Sequence, residues 1–195
     1  MSKTVEIFFD FLSPPSFLAW TQMPGVLERT GAQAIWRPMF TLGLHELVGN
    51  RSPISVPNKA KWVMGDLQLW AKRYGVTLNP NPNGFVNILA ADRAACFAEQ
   101  RGEVEQLMEK AYPAMFVAGR DLADLEVLAD IISSAGLDAD AYLTAITTDE
   151  VKDRLKANTQ EAADRDAFGA PTFFVNGQLF FGQDRLEFVE EALQT

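Results

Sequence analysis

Residues 8–20 read FFDFLSPPSFLAW, with Ser13-Pro14-Pro15-Ser16 at the centre. Cysteine in place of both serines would make that centre Cys-Pro-x-Cys, a dithiol redox motif. The frame is present and the sulfur is not. Locally the stretch is the joint between a strand and a helix. Residues 5–9, VEIFF, are β-branched and aromatic and read as a short buried strand. Serine caps free helix N–H groups and proline tolerates the first helical turn, so a helix starts at Ser13-Pro14. It is expected to run to about Thr30, to break or kink at Pro24 and to close at Gly31. Residues 33–38, QAIWRP, read as a second strand, which makes a βαβ unit with parallel strands.

Outward from this unit the pattern changes. From about 57 to 166 it is helical almost throughout. The run KAKWVMGDLQLWAKRYG, 59–75, is expected to place Trp62, Met64, Leu67, Leu69 and Trp70 largely on one side. Helices are then expected over 84–101, 103–118, 122–135 and 138–147, with residues 79–85 as a loop. The end returns to β structure: APTFFVNGQLFFG, 170–182, has two apolar runs around Asn176-Gly177, a strong hairpin signal. A last helix is expected over about 183–194. The expected class is α/β: residues 1–40 and 167–195 form one small domain around an all-helical insertion, 41–166.

Composition narrows the function. Of 195 residues 48% are hydrophobic, enough for a core. Lys and Arg number 17 against 26 Asp and Glu, a net charge of −9. That balance argues against a nucleic-acid or anionic-membrane surface, which needs clustered cations, but leaves room for a small anion. The single cysteine, Cys96, excludes an intramolecular disulfide and a cysteine-rich metal site. It reads as a buried, inert thiol. No signal peptide and no membrane span are seen, so a cytoplasmic protein is expected.

Ser13 alone reads as an ordinary helix cap. The one histidine, His45, has no evident partners for a serine-hydrolase triad. Position adds a second reading. Helix N-termini gather unpaired N–H donors and positive potential, so they favour anions and lower thiol pKa values. A hydroxyl there can donate a hydrogen bond to a thiolate brought in on another molecule.

FDFLSPPSFLA, together with DAFGAPTFFVNGQLFFGQDRLEF, 166–188, resembles the 2-hydroxychromene-2-carboxylate isomerases and kappa-class glutathione transferases, members of the DsbA-type thioredoxin-like proteins. Gly49, Asn50, Lys59, Asp66 and Leu67 extend the resemblance through the insertion. It implies a DsbA-type thioredoxin-like fold and glutathione as cofactor, with the serine replacing the redox cysteine and the sulfur arriving on glutathione. Ser13 is then the catalytic residue holding that sulfur, and Pro171 the proline expected in the cis form. Ala170 would offer its backbone to the cysteinyl part; a plain strand start is the alternative. Gln183 and Asp184 would hold the γ-glutamyl end, Asp184 by pairing with its ammonium; a helix-dipole role is the alternative for Asp184. Asn50 and Lys59 would approach glutathione or the second substrate, a solvated helix face being the alternative for Lys59. Arg185 reads as an ion-pair partner. His45 stands where the isomerase pattern has a lysine. Asn87 is a candidate for the cavity and Asn83 for the loop.

The activity implied is glutathione-dependent cis–trans isomerisation of 2-hydroxychromene-2-carboxylate or a similar intermediate of aromatic degradation, an aromatic carboxylate. A kappa-like glutathione transferase or peroxidase is the enzymatic alternative, and a non-catalytic thioredoxin-like binding module the alternative of another class. Disulfide exchange is excluded, since neither Ser13 nor Ser16 can perform it. A homodimer and no metal are expected.

Overall fold

The computed structural model describes residues 3–84 and 87–195. Its sheet has four strands in the order β2-β1-β3-β4. Strand β1 (Thr4–Phe9) runs parallel to β2 (Gln33–Pro38), from Thr4↔Gln33 to Phe9↔Pro38. Strand β3 (Thr172–Val175) is antiparallel to β1, with Ile7 opposite Phe173, and β4 (Gln178–Phe181) returns against β3. The turn between β3 and β4 is Asn176-Gly177, at φ 51° and 81°. Two positive φ angles are what a two-residue hairpin of this twist requires.

Helix α1 (Pro14–Thr30) starts and stops where expected. Ser13 is its cap, and Gly31, at φ 67°, closes it by donating its N–H to the Leu27 carbonyl. Of the break or kink expected at Pro24, the break does not occur; the helix runs through it. Pro24 lies on the exposed side, while Phe17, Leu18, Met23 and Val26 are buried on the other. Packing of that face outweighs one lost backbone bond.

Between β2 and β3 lie α2 (Thr41–Val48), α3 (Pro57–Tyr74), α4 (Leu89–Arg101), α5 (Val104–Phe116), α6 (Leu125–Ser134), α7 (Ala139–Ala145) and α8 (Asp149–Asp164). Helix α4 starts at Leu89 rather than 84, and residues 85–86 of the expected helix lie outside the described residues. The apolar face of α3 also differs from expectation. Leu67 and Ala71 are buried, with Val63, Met64, Trp70 and Tyr74 packed partly against the core. Trp62 and Leu69 lie seven residues apart on the outer side and remain 67% and 68% exposed. At the chain's end a short 3-10 turn, Gln183–Arg185, precedes α9 (Leu186–Gln194), where one continuous helix was expected.

One apolar cluster joins sheet and inserted helices. Ile7, Phe9, Phe11 and Phe17 pack with Tyr112, Met115 and Phe116 of α5 and Ile132 of α6. Phe11 meets Tyr112 edge-on at 5.0 Å. Charges tie the other side. Arg37 of β2 pairs with Glu99 of α4 at 3.2 Å and with Glu161 of α8, and Arg165 pairs with Glu6 of β1 at 2.8 Å. Both faces fix the carboxyl end of β1, from which Ser13 projects.

Candidate active site

Ser13 sits in the turn between β1 and α1. Its backbone is extended, at φ −92° and ψ 106°, which turns its side chain back over the first helical turn. The hydroxyl oxygen accepts the Ser16 N–H at 3.1 Å. The hydroxyl proton is donated to the Ala170 carbonyl at 3.0 Å. One side chain therefore links the helix N-terminus to the loop before β3. The Ala170–Pro171 peptide in that loop is cis.

The loop is held from two more directions. The Asn50 amide donates to the Phe168 carbonyl at 2.7 Å, and its Oδ1 accepts the Arg51 N–H at 2.8 Å. Gly182, following β4, donates its N–H to the Pro171 carbonyl at 3.0 Å. A Cβ at 169 would lie 2.8 Å from the Phe181 ring, so any side chain there displaces that ring. The Phe168 and Phe181 rings meet at 4.5 Å above it.

A cavity of about 490 Å³ opens on Ser13. Of the residues expected at the site, Ser13, Asn50, Lys59 and Ala170 line it, and so does His45. Arg51, Phe168 and Phe181, for which the sequence gives no site role, also line it. Arg51 follows Asn50 directly, the one signal that could have found it. The described lining holds Arg51 and Lys59 and no carboxylate, in a chain of net charge −9. Most of the remaining wall is apolar, including Leu12, Pro14, Leu42, Ile54, Val63, Met64 and Leu67. Burial lowers the His45 pKa, so the imidazole is neutral at pH 7.

Gln183 and Asp184 line a second cavity, of about 360 Å³, between α1, α3 and the start of α9. The buried Gln183 accepts the Tyr74 hydroxyl on its backbone carbonyl at 2.7 Å. Asp184 pairs with Arg185 at 2.7 Å. Asp184 Oδ1 also packs over Gly182, 2.6 Å from where a Cβ would stand. Gly182, at φ 95°, is bonded to Pro171, so contacts run from Ser13 through Ala170, Pro171 and Gly182 to Asp184, while the two cavities share no described lining residue.

Asn87 is not among the cavity residues; its Oδ1 accepts the Leu89 N–H at 3.1 Å, at the start of α4. Asn83 donates to the Gly119 carbonyl at 3.3 Å, within the loop. Cys96 is buried, and burial pushes its thiol pKa far up, which leaves it unreactive. No metal-holding group of His, Cys, Asp and Glu occurs among the described residues, and no described helix is long and apolar enough to cross a membrane.

Residues 4–194 match the family model of the DsbA-like thioredoxin domain. The chain is 34% identical over 195 residues to a 2-hydroxychromene-2-carboxylate isomerase of Sphingobium xenophagum, covering 99% of both chains. It is 28% identical over 214 residues to glutathione S-transferase kappa 1 of Homo sapiens, covering 99% of this chain and 92% of that one. A solved structure of 2-hydroxychromene-2-carboxylate isomerase superposes with a TM-score of 0.85 at 24% identity, covering 97% of this chain and 94% of that one. The chain belongs to the DsbA-like thioredoxin family, alongside the 2-hydroxychromene-2-carboxylate isomerases and the kappa-class glutathione transferases.

Proposed function

We propose that this protein is a glutathione-dependent isomerase of 2-hydroxychromene-2-carboxylate or a closely similar aromatic carboxylate. The observation that carries the reading is Ser13: a hydroxyl at a helix N-terminus, opening on a cavity with two cations and no carboxylate in its described lining. Such a site fits an anionic thiol. Helix N–H groups and a nearby guanidinium or ammonium favour an anion, and a serine hydroxyl is a donor that cannot be trapped as a disulfide. The isomerase relatives supply the reaction class, and the kappa-class relatives the cofactor.

When bound, glutathione supplies a thiolate that adds reversibly to a conjugated carbon, so that a double bond becomes rotatable, and then departs unchanged. The chain's own residues hold and aim it. Ser13 swings its hydroxyl proton from the Ala170 carbonyl toward the sulfur. Ala170 and the backbone before β3 take the cysteinyl part as an added strand would. Lys59 holds a carboxylate, and Asn50 keeps the Phe168–Ala170 loop in place. Gln183 and Asp184 receive the γ-glutamyl end, Asp184 by pairing with its ammonium.

Ser13 acts by position more than by ionisation. Lowering a thiol pKa from about 8.5 to about 6.5 raises the thiolate fraction at pH 7 roughly 25-fold. The weaker nucleophile then reacts roughly 8-fold more slowly, which leaves about 3-fold. Holding the sulfur against the electrophile is worth several kcal/mol by comparison.

Titration calorimetry of wild type and Ser13→Ala with reduced glutathione tests the reading. Binding by wild type, weakened in the variant, is expected. Absence of binding at millimolar glutathione would favour a non-catalytic binding module.

A further inference from the structure

Four buried polar side chains lie beneath the Ser13 turn. Asp10 directly follows β1, Ser16 belongs to α1, Asp92 to α4 and Tyr112 to α5, and each is at most 1% exposed. Two of them are carboxyls, and no Lys, Arg or His bonds to either among the described residues. The neighbouring Arg93 has its own Nε buried without a partner. Two ionised carboxylates in such a place are strongly disfavoured.

Their partners differ sharply. Asp10 accepts two short amide bonds, the Leu12 N–H at 2.7 Å and the Thr41 N–H at 2.7 Å. Its backbone carbonyl accepts the Ser13 N–H at 3.1 Å. Asp92 has a single long contact, the Phe11 N–H at 3.4 Å to Oδ1. Its Oδ2 has no partner among the described residues, and neither have the hydroxyls of Ser16 and Tyr112. A buried ionised oxygen with no donor is the costly arrangement, and a neutral acid in its place costs less.

We propose that Asp10 and Asp92 share one negative charge and one proton, Asp10 ionised and Asp92 a neutral acid, and that this pair is the positioning device for Ser13. Asp10 ties the residue before Ser13 to the first residue of α2, the helix that carries His45, so it links two walls of the cavity. Neutral Asp92 braces Phe11 while adding no second negative charge beneath the site where an anion must sit. That last role rests on the proposed thiolate site; the shared proton does not.

The electrostatics agree. Burial raises the pKa of both carboxyls, and for Asp92 the charge of Asp10 adds to it against the Phe11 amide. The other groups facing the pair, Tyr112 from α5 and Cys96 from α4, are held neutral in turn. Thr41 faces it from α2 through its hydroxyl. A carboxyl raised in the folded state contributes its full stability below the ordinary carboxylate range and loses it as pH rises toward the folded value.

Asp92→Asn mimics the neutral acid, and Asp92→Ala removes the brace. The infrared spectrum of wild type at pH 7 should show a protonated-carboxyl band that Asp92→Asn lacks. The stability of Asp92→Asn relative to wild type, from urea melts, should rise between pH 4.5 and pH 8.5. Glutathione affinity should survive in Asp92→Asn and fall about tenfold in Asp92→Ala, the loss of one hydrogen bond. No band lost from the infrared spectrum, a relative stability that falls with pH, or equal damage by Asn and Ala would overturn the proposal. If wild type binds no glutathione, the cofactor reading fails, and the infrared and stability measurements still decide the pair. If Asp92→Ala does not fold, retention of affinity by Asp92→Asn decides the positioning role.

Discussion

Ser13 holds two structural bonds as well as the proposed catalytic one. Ser13→Ala removes a helix cap and the link to Ala170. It should lower stability by about 1–2 kcal/mol in a denaturant melt, the usual size of a cap loss. Turnover should fall by more, on the order of 10²-fold, if the hydroxyl is a donor to the reacting sulfur. A turnover loss no larger than the stability loss would return Ser13 to its role as a cap. Ser13→Cys restores a thiol at the same point, so its activity should become sensitive to oxidised glutathione, and mass spectrometry should find the mixed disulfide. At Asp184, replacement by Asn should weaken glutathione binding by about 1.5–3 kcal/mol if the carboxylate meets the glutamyl ammonium. Its exposed pair with Arg185 is worth little by itself, so stability should hardly change; calorimetry and a melt separate the two. The cap, the ion-pair role of Arg185 and the buried Cys96 were legible from residue type and position; that Asp184 is the partner of Arg185 was not. Arg51, Phe168 and Phe181 were not. They join the cavity because the 50–54 segment, the 168–170 loop and the end of β4 meet in space, and apart from the place of Arg51 beside Asn50 no local pattern announces that.

At the scale of elements, the β-hairpin and the loop before β3 form the wall opposite Ser13. Gly177→Ala should lower stability by about 1–2 kcal/mol, the penalty for a side chain at φ 81°, and a melt will show it. Gly169→Ala should act otherwise. The added Cβ meets the half-open Phe181 ring, which is 38% exposed and can swing away. The fold should be nearly untouched, within about 0.5 kcal/mol, while glutathione affinity drops because the cavity wall has moved. Equal affinity in Gly169→Ala and wild type would show that this wall is not used. The parallel βαβ unit and the hairpin were readable because short-range signals fix them: a capped helix between two apolar runs, and Asn-Gly between two others. The continuity of α1 through Pro24 and the outward turn of Trp62 and Leu69 were not, since both depend on what the rest of the chain packs against those faces.

For the whole molecule, the exposed Trp62 and Leu69 mark a face of α3 that the chain's own core leaves uncovered. We expect a homodimer, so light scattering should report about twice the chain mass of 21.6 kDa. Trp62→Glu with Leu69→Glu should halve that mass if this face carries the contact, and leave it unchanged if another does. The order of elements was legible because the two ends of the chain spell the sheet and the middle spells helices. The cavity between them was not, and the resemblance carried what local pattern could not. Glutathione is expected to enter and leave this site unchanged. The most direct test incubates the protein with excess 2-hydroxychromene-2-carboxylate and a trace of glutathione, then counts both. The excess substrate should reach its equilibrium mixture with the trans open-chain isomer over many turnovers per glutathione, with the glutathione fully recovered. Glutathione lost one-for-one into a conjugate would establish a transferase instead, and no conversion by protein that binds glutathione would contradict the isomerase reading.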